Sequence, residues 1–78
     1  MKIIITEKIA DESVEFLRGR GFTVDEKLGF SQSEIEDMMG PYDEIIVRSV
    51  TKVNEELIAK APNLKVVGRA GNGIDNID

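Results

Sequence analysis

The sequence predicts an α/β fold built around an incomplete, doubly wound parallel sheet. Short apolar, β-branched segments recur along its 78 residues, and amphipathic segments with helical spacing separate them. The two kinds of segment alternate about every ten residues, which is typical of βαβ units. Because crossovers between parallel strands are right-handed, helices are expected on both faces of a flavodoxin-like sheet with the order β-α-β-α-β-α-β.

The chain opens with a predicted central strand and an amphipathic helix. Residues 3–5 are three consecutive isoleucines, which is typical of a strand that is buried on both faces. Helical spacing begins at Asp11 and places Val14 on the buried side. Gly19 and Gly21 are expected to end this helix.

A second strand and a second helix follow. Residues 22–24 predict a short strand, and residues 25–30 predict a connecting loop. Ser31 and Glu34 have the spacing of a capping box, so the second helix is expected to begin after Ser31. Gly40 precedes a proline and is expected to end the helix in the left-handed conformation.

The second half of the chain repeats this alternation. Residues 44–47 predict the third strand, and residues 64–67 predict the fourth. Asn54 is a favourable N-cap for the helix between them, and Pro62 marks its end.

Composition excludes several classes of function. The net charge of −5 argues against non-specific nucleic-acid binding, which depends on clustered lysine and arginine. The chain contains neither cysteine nor histidine, which excludes disulfides, thiolate metal sites and a histidine acid or base; no bound metal is expected. Glu7 and Lys8 interrupt the apolar opening before the length of a signal peptide or membrane span, so a cytoplasmic location without membrane partners is expected.

Two arginine-containing segments follow neighbouring predicted strands. Arg48 and Ser49 come after the third strand, and residues 69–73 come after the fourth. Ligands of parallel α/β sheets bind at the carboxyl ends of the strands. Arginine together with hydroxyl and backbone N–H donors suits a carboxylate or a phosphate, so we expect an anion site here. No nucleophile stands beside a base, and no catalytic residue is predicted.

Each of these features also has a purely structural interpretation. Arg48 taken alone is better explained as a surface arginine that pairs with an acid such as Glu44 or Glu7. An isolated Gly-x-Gly, here Gly71 and Gly73, more often only shapes a turn. The occurrence of both segments at adjacent strand ends favours the ligand site.

Two strings of the sequence are similar to a known family. Residues 47–53 read VRSVTKV, and residues 67–78 read VGRAGNGIDNID. Together they resemble the D-isomer-specific 2-hydroxyacid dehydrogenases, and within them the D-3-phosphoglycerate dehydrogenases, which act in serine biosynthesis. The resemblance extends over essentially the whole chain.

The resemblance implies a role for each matching position. The substrate-binding residues would be Arg48, Ser49, Arg69, Ala70, Gly71 and Gly73. The arginines and the serine would hold the phosphate or acid end of the substrate, and the glycine turn would offer backbone N–H groups to its carboxylate. Asn72 would border the nicotinamide cofactor, although threonine or valine is more usual at that position of the family.

The resemblance also implies what this chain would lack. Residues 1–78 would form one truncated, N-terminal subdomain of a substrate-binding lobe, without a nucleotide-binding domain. The parent family uses NAD, but this chain alone would bind no cofactor, would hold the substrate weakly at best and would be catalytically inactive. Surfaces exposed by truncation predict a homodimer.

A non-enzymatic alternative remains open at this point. The same residues could serve a stand-alone anion-binding or regulatory α/β module. A phospho-receiver domain fits less well, because it requires paired acids after the first strand and an aspartate after the third, where this chain has Arg48.

Overall fold

The computed structural model of the protein describes residues 1–70, which form a parallel sheet with helices against it. The elements are β1 (Lys2–Ile5), α1 (Asp11–Gly19), β2 (Thr23–Glu26), α2 (Gln32–Met38), β3 (Glu44–Val47), α3 (Glu55–Ala59) and β4 (Val66–Arg69). The predicted α/β class and the predicted element order are confirmed. Over the described range, no helix combines the length and the apolar character that crossing a bilayer would require.

The strands lie in the order β2-β1-β3-β4, and all three pairs of neighbours are parallel. This arrangement corresponds to the first four positions of the flavodoxin-like order. The chain moves from β1 to one side and then crosses to the other side to form β3. The crevice between the carboxyl ends of β1 and β3 is therefore the topological switch point, where ligands bind in such sheets.

The core has one layer on each face of the sheet. Ile3, Ile4 and Ile5 are all 0% exposed, which confirms the prediction of a central strand. Their side chains alternate between the two faces. The α1 face contains Ile3, Ile5, Val14 and Val24; the α2 and α3 face contains Ile4, Ile35, Met39, Tyr42, Ile45, Val47, Val53, Leu57 and Ala61.

The ends of the helices largely follow the sequence signals. Gly21 has φ of 92°, and the bonds from Gly21 N to Arg18 O (3.0 Å) and from Phe22 N to Leu17 O (3.2 Å) form a Schellman motif at the end of α1. The capping box predicted at Ser31 is present at the start of α2.

The left-handed cap predicted at Gly40 is wrong. Among the described residues, positive φ values occur only at Gly21 and Gly29. The chain leaves α2 through a turn in which Tyr42 N donates to Met39 O at 3.1 Å. Because this turn contains Gly40 in an ordinary backbone conformation, the chain changes direction without a left-handed residue.

Two strands are shifted relative to the prediction. Strand β2 is formed by residues 23–26 instead of 22–24, and β4 by residues 66–69 instead of 64–67. Pairing determines these bounds, because β2 continues along β1 as far as Glu26 and β4 aligns Arg69 with Val47. As a result, Arg69 lies within a strand and not in the turn that follows it.

Candidate functional site

The loop after β3 is attached to the end of β1 by one carboxylate. Glu7 Oε2 accepts hydrogen bonds from the backbone N–H groups of Arg48 at 2.7 Å and Thr51 at 3.1 Å. Glu7 Oε1 accepts from those of Ser49 at 3.0 Å and Val50 at 2.9 Å. Four consecutive N–H groups therefore point at a single side chain located at the switch point.

This arrangement perturbs the acidity of Glu7. Partial burial, the largest single influence, raises the pKa of the carboxyl group, whereas each of the four backbone hydrogen bonds lowers it. The combined effect of the four hydrogen bonds is larger than the effect of burial, so the pKa of Glu7 lies below its usual value. The group is therefore a carboxylate at neutral pH.

Side chains add further contacts around the same loop. The Thr6 hydroxyl donates to the Thr51 hydroxyl at 2.8 Å, and both residues are buried. The Arg48 guanidinium donates to Lys8 O at 3.2 Å. The side chain of Lys52 donates to Ser49 O at 3.3 Å. The first two contacts join residues 6–8 to residues 48–51 over a long sequence separation, and the third lies within the loop itself.

The hydrogen bonds of Glu7 determine which donors of this loop can reach an anion. The backbone N–H groups of Arg48 and Ser49 both donate to Glu7, so they are already occupied. The side-chain donors that this loop offers to an anion are the Arg48 guanidinium and the Ser49 hydroxyl. Glu7 was named as a possible ion-pair partner of Arg48, and the structure shows the Glu7 carboxylate accepting a hydrogen bond from the backbone N–H of Arg48.

The second predicted segment lies on the neighbouring strand. Arg69 is the last residue of β4 and pairs with Val47, and Ala70 N donates to Val47 O at 2.9 Å. Since Arg48 directly follows Val47, the sheet places Arg48 and Arg69 at adjacent strand ends. Gly71, Asn72 and Gly73 lie outside the described residues.

A cleft connects the two segments. Its volume is about 420 Å³, and it is lined by Lys8, Ile9, Ala10, Ser13, Arg48 and Ala70. Lys8, whose ammonium group is 2.6 Å from Asp11 Oδ1, adds a second cation to this cleft beside Arg48. Lys8 and Ser13 were not predicted as site residues, because they belong to the β1–α1 segment, which carries no recognisable anion motif.

The first β-to-α junction does not fit a dinucleotide. A pyrophosphate at this position of a doubly wound sheet requires a glycine-rich turn and a helix N-terminus free of competing anions. The junction here, residues 6–10, contains no glycine and carries the Glu7 carboxylate. Within residues 1–70 no group of three or more acidic side chains is arranged to hold a metal ion.

Comparison with known proteins gives the family. The family model described as "D-isomer specific 2-hydroxyacid dehydrogenase, catalytic domain" matches residues 3–78, nearly the whole chain. The chain belongs to the D-isomer specific 2-hydroxyacid dehydrogenases. The resemblance of the strings at residues 47–53 and 67–78 is therefore confirmed at the level of the family.

Curated relatives within the D-isomer specific 2-hydroxyacid dehydrogenases agree. The chain is 45% identical to the D-3-phosphoglycerate dehydrogenase of Archaeoglobus fulgidus over 78 residues, which are 100% of this chain and 15% of that protein. It is 42% identical to the D-3-phosphoglycerate dehydrogenase of Synechocystis over 77 residues, which are 99% of this chain and 14% of that protein. The chain thus spans about a seventh of the length of these relatives.

Solved structures give the same fold. The PH0520 protein of Pyrococcus horikoshii superposes with a TM-score of 0.90 at 34% identity, covering 99% of this chain and 23% of that chain. The TT0316 protein of Thermus thermophilus superposes with a TM-score of 0.87 at 22% identity, covering 100% of this chain and 26% of that chain. The second match supports the fold alone.

Proposed function

We propose that the chain is the N-terminal part of the substrate-binding lobe of an NAD-dependent D-3-phosphoglycerate dehydrogenase that acts in serine biosynthesis. In this proposal it holds the anionic end of a phosphorylated 2-hydroxy acid. The binding groups are the Arg48 guanidinium, the Ser49 hydroxyl, Arg69, and the backbone N–H groups of Gly71 and Gly73. Ala70, whose own N–H donates to Val47 O, lines the cleft beside them.

One observation carries this proposal: Arg48 and Arg69 lie at adjacent ends of paired parallel strands. Val47 pairs with Arg69, and the cleft beside them is lined by both Arg48 and Ala70. Two arginine residues at adjacent strand ends suit a ligand with more than one negative charge, such as a phosphorylated acid. The names of the curated relatives support the same substrate class.

The proposal assigns substrate binding, and not the reaction, to these residues. Hydride transfer to or from a 2-hydroxy acid needs an acid or base at the hydroxyl group. The chain has no histidine, and residues 6–10 do not fit a dinucleotide. We therefore propose that this chain alone is inactive, that NAD is held by other parts of the enzyme, and that Asn72 borders the cofactor there. The proposed location is the cytoplasm.

Titration with 3-phosphoglycerate tests this proposal. Amide chemical shifts of ¹⁵N-labelled chain should move at Arg69, Gly71 and Gly73, with a dissociation constant on the order of millimolar, since only part of a site is present. Arg69→Gln should weaken binding severalfold. Arg20→Gln makes the same change in charge at the end of α1 and should leave binding unchanged. A native chain whose shifts do not respond to the ligand contradicts the proposal.

We further propose that two copies associate through the β4 edge. Strand β4 lies at the edge of the described sheet, and Val66 and Val67 are 42% and 37% exposed. An open strand edge with apolar side chains favours association. Light scattering should give the mass of a dimer at high concentration, and Val67→Lys should shift it towards the monomer. A monomer over the whole concentration range contradicts this arrangement.

A further inference from the structure

The four residues 48–51, called here the arginine loop, take their shape from a distant side chain. Each of their N–H groups donates to Glu7, which lies 41 to 44 residues away in the sequence. Charge-assisted hydrogen bonds of this kind are stronger than neutral ones. The conformation of the arginine loop therefore depends on a carboxylate that belongs to another part of the chain.

We infer that Glu7 is a positioning residue, whose carboxylate holds the arginine loop in the conformation that presents the Arg48 guanidinium and the Ser49 hydroxyl to an anionic substrate. The inference rests on the proposed function, since it concerns the same site. Glu7 itself does not touch the anion in this arrangement. It acts only through the backbone of the loop.

The geometry explains why a carboxylate is needed. Oε1 and Oε2 of Glu7 accept two N–H groups each. Glutamine has nearly the same shape, but one of its two terminal atoms is an NH₂ donor. In Glu7→Gln two backbone N–H groups would face a donor, so the loop could keep at most half of these bonds.

The negative charge of the Glu7 carboxylate also acts against binding of an anion at the neighbouring site. By Coulomb's law alone, Glu7 repels the substrate, and its removal should strengthen binding. The positioning role predicts the opposite result, because loss of the loop conformation displaces Arg48 and Ser49. The sign of the change in affinity therefore distinguishes the two effects.

The test compares three variants of the chain by titration with 3-phosphoglycerate. Glu7→Gln should weaken binding about tenfold, which corresponds to about 1.4 kcal/mol. Glu7→Asp keeps the carboxylate and should recover part of the affinity. Glu15→Gln removes one negative charge from the exposed side of α1 and should bind like the native chain. Equal or tighter binding by Glu7→Gln overturns the positioning role and leaves the proposed function intact.

Failure of the proposed function gives a different result, namely a native chain that does not bind 3-phosphoglycerate at all.

If Glu7→Gln does not fold, the ligand-free native chain still provides a decisive measurement. The four amide signals of the arginine loop should titrate together, with one apparent pKa below the usual value of glutamate. Lys8 and Arg48 line the same pocket as Glu7, the Lys52 side chain donates to Ser49 O, and Asp11 is the acid that pairs with Lys8. Independent titration of the four signals overturns the inference.

Discussion

The hydroxyl groups of Thr6 and Thr51 form a buried hydrogen bond of 2.8 Å that joins the end of β1 to the loop after β3. The two residues are 5% and 3% exposed. Neither hydroxyl can exchange this partner freely for bulk water. The bond lies directly beside the contacts of Glu7, so the same junction is held by a neutral bond and by charged ones.

Replacing Thr51 with valine is expected to destabilise the protein. The shape is retained, but the Thr6 hydroxyl loses a partner in a buried position, which costs about 1–3 kcal/mol of unfolding free energy. Urea denaturation measures this. Thr23→Val, at an exposed position of β2, is the matched control and should change stability by less than about 0.5 kcal/mol. The double variant Thr6→Val with Thr51→Val should recover part of the lost unfolding free energy, because neither hydroxyl is then left without its partner. If the double variant loses as much unfolding free energy as the two single variants added together, this explanation is wrong.

Gly68 in β4 is expected to accept alanine but not valine. A Cβ atom at this position would lie 3.3 Å from Glu44 Oε2 and 3.3 Å from Ile46 Cγ1. For alanine, the smaller entropy of the unfolded chain offsets this tight contact, so the net change should stay within about 1 kcal/mol. Valine should cost about 1–3 kcal/mol by overpacking.

Thermal or urea denaturation of both Gly68 variants tests this expectation. Gly40→Ala is the control, because nothing lies within 4 Å of a Cβ atom there and the backbone φ is ordinary. It should be neutral or slightly stabilising. A Gly68→Val variant as stable as the native chain would show that Glu44 and Ile46 move away at no cost.

Tyr42 is expected to make stability fall at alkaline pH. Its hydroxyl donates to Asp25 Oδ2 at 2.6 Å, and burial, followed by this bond and the charge of Asp25, raises the pKa of Tyr42 to about 12. An unfolded tyrosine titrates near pH 10. Because the folded pKa is raised, the stabilisation is complete below about pH 10 and is lost as pH rises towards 12.

The absorbance of tyrosinate gives a direct measurement, since the chain contains one tyrosine. In the folded protein, ionisation should occur well above about pH 10. Tyr42→Phe should lower the unfolding free energy at neutral pH by about 1–2 kcal/mol and flatten its dependence on alkaline pH. Ionisation of native Tyr42 at its ordinary pKa would disprove the role of Asp25.

Asn54 is expected to stabilise α3 as its N-cap. Its Oδ1 accepts the N–H of Leu57 at 3.1 Å, and the Leu57 side chain is fully buried in the core. Asn54→Ala should cost about 1 kcal/mol in a denaturation experiment. Asn54→Asp keeps an acceptor at the same position and should retain most of the stability. Equal losses in the two variants would show that the cap bond is not the cause.

Local signals in the sequence predicted much of the fold. The buried strand at residues 3–5, the capping box at Ser31 and the cap at Asn54 depend on neighbours within four residues, and all are confirmed. The bounds of β4 depend on pairing with β3 and were missed by two residues. The Gly-Pro pair at residues 40 and 41 correctly indicated that α2 ends there, but it did not reveal the backbone conformation of Gly40.

The sequence by itself determined the order of strands and helices, the family, and the two arginine segments as candidate site residues, because periodicity, capping and short motifs are local properties. Only the tertiary structure decided that Glu7 takes up the backbone donors of the arginine loop. That contact joins residues more than 40 positions apart through atoms that nearly every residue carries, the backbone N–H groups. A side-chain pattern cannot mark such an interaction before the parallel strands bring its two halves together.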